Sequence, residues 1–218
     1  GNTNVVAGGG LRVGGGGGAV LARTTFHGND TEGEGAGAWV NGYVTIREST
    51  FSANGSAITT AGGGLATPSG AFVSRSTFSG NVAAEGAAIQ AQALDLEAVT
   101  ASDDDPGPTG EAISTSGDFS SETSIIQPVD GAACDIGGTG TSDGYNRTSD
   151  SGCFAPATGD LAGRVALGLL AENGGPTQTR LPSLAAPPGQ MTVIDAIPVA
   201  ATAQCPGNGH DQRQVDRP

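Results

Sequence analysis

The sequence contains no lysine, and its nine basic residues, all arginine, stand against 22 acidic residues, which gives a formal charge of −13. Nucleic acids and anionic membranes are bound through positive surfaces, so this charge argues against both as partners. Aromatic residues make up 4 % of the chain, which is poor material for one compact core. No apolar run approaches the roughly 20 residues that span a bilayer, so no transmembrane segment is predicted.

Cysteine is also scarce. The three cysteines, Cys134, Cys153 and Cys205, form no CxxC pair, which argues against zinc-binding and thioredoxin-like sites. Cys134 and Cys153 bracket a segment rich in Gly, Ser and Asp that has little else to order it. We therefore predict a disulfide between them, as expected of an exported protein. Cys205 is then either free or paired with something outside this sequence.

The chain is rich in glycine and contains a repeated sequence motif. The phrases TTFHGN (24–29), STFSANG (49–55), STFSGN (76–81) and a weaker VTASDD (99–104) recur along it. A period of about 25 residues is typical of a solenoid, in which each turn packs on its neighbours. The first three copies place an asparagine three residues after a phenylalanine, as Phe26, Phe51 and Phe78 with Asn29, Asn54 and Asn81. Asp104 takes the asparagine position in the fourth copy.

A second phrase, small residues before one large apolar residue, lies between the copies. Its large residues form a second predicted column: Leu11, Trp39, Leu65, Ile89 and Ile113. Apolar residues five and seven places before each phenylalanine alternate with period two, which indicates strands with one buried face. The chain is thus predicted to be an all-β, right-handed parallel β-helix, because crossovers between parallel strands are almost always right-handed.

We divide the chain into about five helical turns over residues 1–130, a disulfide-closed loop region at 131–160, and a cap and tail at 161–218. The segment 161–173 is the one predicted short helix, and the cap is expected to fold over the final turn. Gly1 and Asn2 repeat the end of the FxxN phrase, so we expect a piece of a longer protein. The strand edge at 5–13 is expected to be covered by an upstream segment or by another chain in a filament.

Two polar columns follow from the same register. Asparagine tolerates left-handed backbone angles at bends, and its amide can both donate to and accept from the amide one turn away. We expect Asn29, Asn54 and Asn81 to form an inward ladder, the alternative being surface turn residues. A ladder argues against glycosylation at the Asn-x-Ser/Thr sites of Asn29 and Asn54; a third such site is Asn146.

The second polar column lies three places before the phenylalanines and consists of Arg23, Glu48 and Arg75. Opposite charges that alternate between turns are typical of cross-strand ion pairs. A functional interpretation makes them a polysaccharide-lyase-like cluster that removes a proton beside a uronate. An exposed ion pair needs no function, so the structural interpretation is preferred.

The phrases FHGN, FSAN and FSGN, alternating with AGGGL and GAAI, resemble the GGAI/FxxN repeats of polymorphic outer-membrane-protein adhesins. The later phrases NGGPTQTRLPS, VIDA and DQRQVDRP are similar in order to those of the choice-of-anchor Q group of bacterial β-helix proteins. Gln214 stands where that group usually has glycine, and MTV precedes Ile194 in place of a proline phrase. The resemblance implies export and display on a bacterial surface, and it supplies no catalytic residues.

The preferred function is therefore a non-catalytic extracellular solenoid that serves as adhesin, stalk or matrix element. Its expected partners are further copies joined end to end, or a glycan or protein of a cell surface or matrix. No convergent catalytic set is evident, since His27 and His210 lie far apart and beside no nucleophile phrase. The alternative is a carbohydrate-active enzyme, which would need paired carboxylates. Candidates without an aromatic platform are Glu32, Glu34, Glu48, Glu85, Asp95 and Glu97.

Two further sites are considered. The threonine column Thr25, Thr50, Thr77 and Thr100 could order water on an outward face as in ice-binding proteins, but one column is too narrow. Asp103, Asp104 and Asp105 offer the oxygen ligands that calcium prefers, yet three consecutive carboxylates cannot all face one ion. A solvated loop is preferred there, and no cofactor is expected.

Overall fold

The computed structural model describes residues 2–4, 6–194, 196–197 and 210–215. Cys205 lies outside this range, so its pairing stays open. All regular structure in the described part of the chain is β-strand, as the repeat predicts. In chain order the strands are β1 Thr3–Asn4, β2 Leu11–Val13, β3 Ala19–Ala22, β4 Thr25–His27, β5 Asp30–Thr31, β6 Ala38–Val40, β7 Val44–Arg47, β8 Thr50–Ser52, β9 Leu65–Ser74, β10 Thr77–Ser79, β11 Ile89–Glu97, β12 Thr100–Ser102, β13 Glu111–Thr115, β14 Phe119–Glu122, β15 Ile125–Gln127, β16 Ala132–Ile136, β17 Gly140–Gly144, β18 Arg147–Thr148, β19 Leu161–Ala162, β20 Arg164–Val165 and β21 Gln190–Met191.

The strands stack in parallel into two long sheets. Sheet A holds seven strands, one from each turn, in the order β4, β8, β10, β12, β15, β18 and β19. Sheet B has two limbs in each turn, and in β9 and β11 both limbs belong to one bent strand. The first limb runs through β2, β6, β9, β11, β13 and β16, and the second through β3, β7, β9, β11, β14 and β17. The chain is therefore a parallel β-helix of about seven turns.

Equivalent residues of successive turns lie side by side, so the interior is built from columns of like side chains. The phenylalanine column continues through Ala101 and Ile126. The residues five and seven places earlier also pair with their counterparts along the second limb. The resulting core is one continuous cluster that extends from Ala38 to Cys153. Burial against neighbouring turns thus replaces the large aromatic core that the composition lacks.

Trp39 is not in the column predicted for it. Leu11 pairs with Ala38, which in turn pairs with Leu65, whereas Trp39 pairs with Arg12 and Ala66 on the outer face. The guanidinium of Arg12 lies 5.4 Å from the centre of the indole ring, and the indole Nε1 donates to Glu34 at 3.2 Å. The predicted column is therefore displaced by one residue in this turn. The reason is that a run of glycine and alanine fits more than one strand register.

The stack continues past residue 130, where the sequence placed its end. Strands β16 to β19 add to both sheets, so the stack includes the segment predicted as a loop and ends at Ala162. The helix predicted over 161–173 is wrong. Its first residues form β19 and β20, and Ala171 bridges Thr179. The open edge of sheet A provides backbone partners that outweigh a weak helical propensity.

Each turn bends at the same place through a left-handed residue. Between the second limb and sheet A the φ angles are 54° at Arg23, 50° at Glu48, 43° at Arg75, 54° at Ala98 and 49° at Thr123. No glycine occupies this column, so the stacked turns hold ordinary residues in a backbone region that costs them about 1 kcal/mol each.

Candidate functional site

The phenylalanine column forms a stack of parallel rings. The ring centres of Phe26 and Phe51 lie 4.8 Å apart, as do those of Phe51 and Phe78, and the ring planes differ by 16° and 4°. Phe51 and Phe78 are fully buried. The spacing equals the separation of adjacent parallel strands, so the stack is a direct product of the in-register repeat.

The asparagines form a buried ladder beside this stack. The Nδ2 of Asn29 donates to Oδ1 of Asn54 at 3.0 Å, that of Asn54 to Oδ1 of Asn81 at 2.9 Å, and that of Asn81 to Oδ1 of Asp104 at 2.8 Å. The predicted bend mechanism is wrong in detail, because a second left-handed residue in each of these turns lies directly before the ladder residue, and the ladder residue itself is not left-handed. That place belongs to Gly28, Ala53, Gly80 and Asp103.

Asp104 ends the ladder as a fully buried carboxyl group. Burial is the largest influence on its pKa and raises it to about 7, although hydrogen bonds from Asn81 act in the opposite direction. Its Oδ2 atom has no hydrogen-bond partner within the described residues. The expectation of a solvated loop at 103–105 is therefore wrong. The three carboxylates also diverge, since Asp103 pairs with Arg180 and Asp105 accepts from the Gly107 N–H.

The charged column is a chain of ion pairs. Arg23 contacts Glu48 at 2.8 Å, and Arg75 lies 3.6 Å from Glu48 and 3.8 Å from Glu97. Partial burial alone would raise the pKa of Glu48, but hydrogen bonds from Arg23 and Gln214 and the two arginine charges lower it on balance. The Glu48 carboxylate is thus held ionised and is engaged by the side chains of Arg23, Arg75 and Gln214.

The disulfide joins Cys134 and Cys153, whose Cα atoms lie 5.0 Å apart. The loop that follows covers the end of the core, where Phe154 stacks on Phe119 with ring centres 6.1 Å apart. Asp150, inside the segment closed by the disulfide, accepts from the Ala133 N–H at 2.7 Å.

We expect the double variant Cys134→Ala/Cys153→Ala to lose about 3 kcal/mol of stability, because the bond restricts the unfolded chain over a loop of this length. Urea unfolding measures the loss. Reduced wild-type protein is the control and should show a similar decrease. An unchanged unfolding midpoint in the variant would contradict this role.

The described parts of the C-terminal tail do not sit over the final turn as expected but lie along sheet A, as far back as the second turn. Thr50 donates to the Gln178 carbonyl at 2.6 Å, Thr77 donates to Gln212 Oε1 at 2.8 Å, and Thr177 donates to the Glu48 carbonyl at 3.0 Å. Thr50 and Thr77 are consequently buried. The tail thus covers the middle of the threonine column, Thr50 and Thr77, whereas Thr25 remains exposed.

Two phrases 34 residues apart meet in this contact. The Nε2 of Gln212 lies 3.0 Å from Thr177 Oγ1 and 3.2 Å from the Ser49 carbonyl. A Cβ added to Gly175 would lie 2.4 Å from the Arg213 Cα, so a residue without a side chain is required there. The NGGPTQT and DQR phrases therefore form one clasp, which the sequence showed only as two unrelated motifs.

We expect Gln212→Ala to loosen the clasp by about 2 kcal/mol, since it removes several buried hydrogen bonds. Trypsin cleavage after Arg213 should then accelerate roughly 30-fold, if cleavage follows local opening. Gln178→Ala is the matched control, because Gln178 contributes its backbone carbonyl to the clasp. Equal cleavage rates in both variants would show that Gln212 does not hold the tail.

A groove of about 480 Å³ crosses the outer face of the second limb, here called the limb groove. It is lined by Tyr43, Gly70, Ala71, Ala93, Leu94, Asp95, Asp118, Phe119, Ser120, Thr139 and Thr141. The connections between the limbs differ in length along the groove. Two residues, 92–93, join the limbs in the fourth turn, whereas three join them in the turns on either side.

Sequence reasoning missed the limb groove. Tyr43 is 57 % exposed and lies in the groove beside Asp95, although the sequence predicts no aromatic platform next to the carboxylates. The signal that could have found it is the one-residue difference in connection length, which is visible once the columns are aligned. Of the predicted carboxylates, Asp95 lines the groove.

No helix long and apolar enough to cross a membrane occurs in the part of the chain that the structure describes. Comparisons with protein-family models, with curated proteins and with solved structures find no match for this chain. The family likeness therefore rests on the quoted phrases alone.

Proposed function

We propose that this protein is a non-catalytic, exported β-solenoid that acts as a surface-displayed adhesin, stalk or matrix element. The observation that carries the proposal is the complete use of the repeated side chains in structural contacts. Phenylalanine rings stack, asparagine amides bond to one another, and the arginines and glutamate of the charged column pair. Such a chain is a rigid rod whose repeats support one another.

The disulfide and the resemblance to choice-of-anchor Q proteins support export. Disulfides persist in oxidising compartments, and this one closes the end of the core. Buried asparagines at all three Asn-x-Ser/Thr sites support a structural role for these residues. Asn146 belongs to this group, because its Nδ2 donates to the Ser121 carbonyl at 2.8 Å.

The alternative, a carbohydrate-active enzyme, is less well supported at the charged column. A lyase base must be free to take a proton from its substrate, and Glu48 is engaged by Arg23, by Arg75 and by the tail residue Gln214. The limb groove, with Asp95 and Asp118, is the feature that favours the enzyme, because glycosidases use paired carboxylates.

Two measurements test the proposal. Purified protein incubated with polygalacturonate and with neutral polysaccharides, with calcium added, should release no new reducing ends. Protease added to intact cells that express the protein should degrade it, as expected of a displayed chain. Release of oligosaccharides, or protection of the protein until the cells are lysed, would contradict the proposal.

A further inference from the structure

The limb groove extends along the axis of the stack. Its lining residues come from five successive turns, from Tyr43 in the second to Thr139 and Thr141 in the sixth. Four steps between parallel strands span about 19 Å. Its floor is made of small or inward-facing residues such as Gly70 and Ala93. This shape suits an extended polymer laid along the rod better than a compact small molecule.

An aromatic ring forms one end of the groove. A Cβ added to Gly70 would lie 3.0 Å from Cε2 of Tyr43, so the ring is seated directly over the glycine of the next turn. Glycine therefore leaves room for the ring on the surface of the stack, while 57 % of the tyrosine remains exposed. An exposed ring next to polar groups can stack on the apolar face of a sugar while its hydroxyl bonds to the sugar's polar edge.

Two carboxylates stand beyond the ring. Asp95 accepts from Ser120 Oγ at 2.9 Å, and Asp118 accepts from the Thr139 N–H at 2.9 Å. Each of these bonds uses Oδ1, which orients the carboxylate and leaves Oδ2 without a hydrogen-bond partner among the described residues. Carboxylate oxygens held in this way can accept strong, charge-assisted bonds from an ammonium group.

The negative charge around the groove determines which charged glycans it can bind. No arginine or histidine lines it. Two residues further along the second limb, the acidic Glu97 and Glu122 share a column with one arginine, Arg47. Burial raises the pKa of Glu122 there, and the nearby charges of Asp143, Glu97 and Asp95 raise it further. A uronate polymer would be repelled by this surface, whereas a cationic polymer would be attracted to it.

We propose that the limb groove binds a glycan that carries free amino groups, with the polymer chain parallel to the solenoid axis. Tyr43 stacks on one sugar ring, and Asp95 and Asp118 bind ammonium groups further along. This inference rests on the proposed function as a surface solenoid and names the chemistry of its ligand.

The test is calorimetric titration of the full chain with glucosamine hexamer at about pH 6, where primary amines are protonated. N-acetylglucosamine hexamer, which lacks the charge, and galacturonate hexamer, which reverses it, are the comparison ligands. We expect the glucosamine hexamer to bind at least about tenfold more tightly than either, because charge-assisted bonds are roughly twice as strong as neutral ones.

Variants locate the site. Asp95→Asn/Asp118→Asn should weaken binding of the glucosamine hexamer about tenfold or more, and Tyr43→Ala about fivefold. The control Asp130→Asn/Glu172→Gln makes the same change in net charge at exposed positions away from the groove, and it should bind within about twofold of wild type, as expected for screened surface charges.

Two results would overturn the inference. One is the absence of glucosamine hexamer binding to wild-type protein, and the other is an equal loss of binding in the control and the groove variants. Either leaves the proposed non-catalytic surface role intact, because that role is judged by reducing ends and by protease access to intact cells.

Discussion

Asp104→Asn is expected to raise the free energy of unfolding by up to about 4 kcal/mol above pH 7 and to flatten its dependence on pH. The folded pKa is about 7, whereas the ordinary value is 3.8, and this difference corresponds to about 4 kcal/mol. The sign follows from proton binding. The folded protein holds the proton more tightly than the unfolded chain, so wild-type stability falls as pH rises from about 4 to about 7.

The hydrogen bonds of the asparagine ladder show why an asparagine side chain should fit at position 104. The Nδ2 of Asn54 also donates to the Phe26 carbonyl and that of Asn81 to the Phe51 carbonyl, both at 3.0 Å. By the same repeat, an amide at position 104 would meet the carbonyl of Phe78, where Asp104 now offers an oxygen without a partner.

Urea unfolding at pH 5 and pH 8 measures the effect, with Asp130→Asn as an exposed control. Burial also raises the pKa of Glu111 and Glu122, so some pH dependence should remain in the variant. The difference between variant and wild type isolates position 104. A variant that is less stable than wild type at pH 8 would refute the argument.

Asn81→Ala is expected to destabilise the protein by about 4 kcal/mol, because it breaks the ladder in the middle and leaves several buried groups unpaired. Asn81 donates to Asp104 and to the Phe51 carbonyl, and its Oδ1 accepts from the backbone and the side chain of Asn54. All of these groups are shut off from water, so none can exchange its lost partner for solvent.

Chemical denaturation measures this loss as well. Asn41→Ala, at a partly exposed position in a connection between limbs, is the control and should change stability by less than about 0.5 kcal/mol. A loss below about 1 kcal/mol for Asn81→Ala would indicate that the turns are held by their backbone ladders and apolar columns alone.

The columns were predictable from the sequence because they depend on spacing. Phe51 and Asn54 repeat in Phe78 and Asn81, and parallel stacking converts that repeat into contacts. Trp39 was misplaced because neighbouring glycines and alanines fit either of two registers. Strand pairing, which involves the whole turn, decides between them.

The tail and the limb groove were not predictable for a different reason. Gln212 has no periodic relation to Thr50 or Thr77, so nothing in the spacing joins the DQR phrase to the second turn. Tyr43 lines the groove together with residues of four later turns, and the one-residue difference in connection length lies two turns away from it. A groove of that kind depends on how far each connection projects from the surface of the stack, and the spacing of residues in the sequence does not give that distance.

The asparagine ladder has a direction. Every Nδ2 donates toward the C-terminal neighbour, and the last member is a carboxylate, which in its ionised form accepts and cannot pass a bond onward. Copies of the unit inserted before residue 104 can extend the sequence of donors, and each lengthens the rod by about 4.8 Å. Beyond Asp104 the stack continues for three more turns through strand pairing, without a further member of the ladder. The aspartate therefore marks the point at which the rod changes from turns joined by the ladder amides to turns joined by backbone pairing and apolar columns without that ladder.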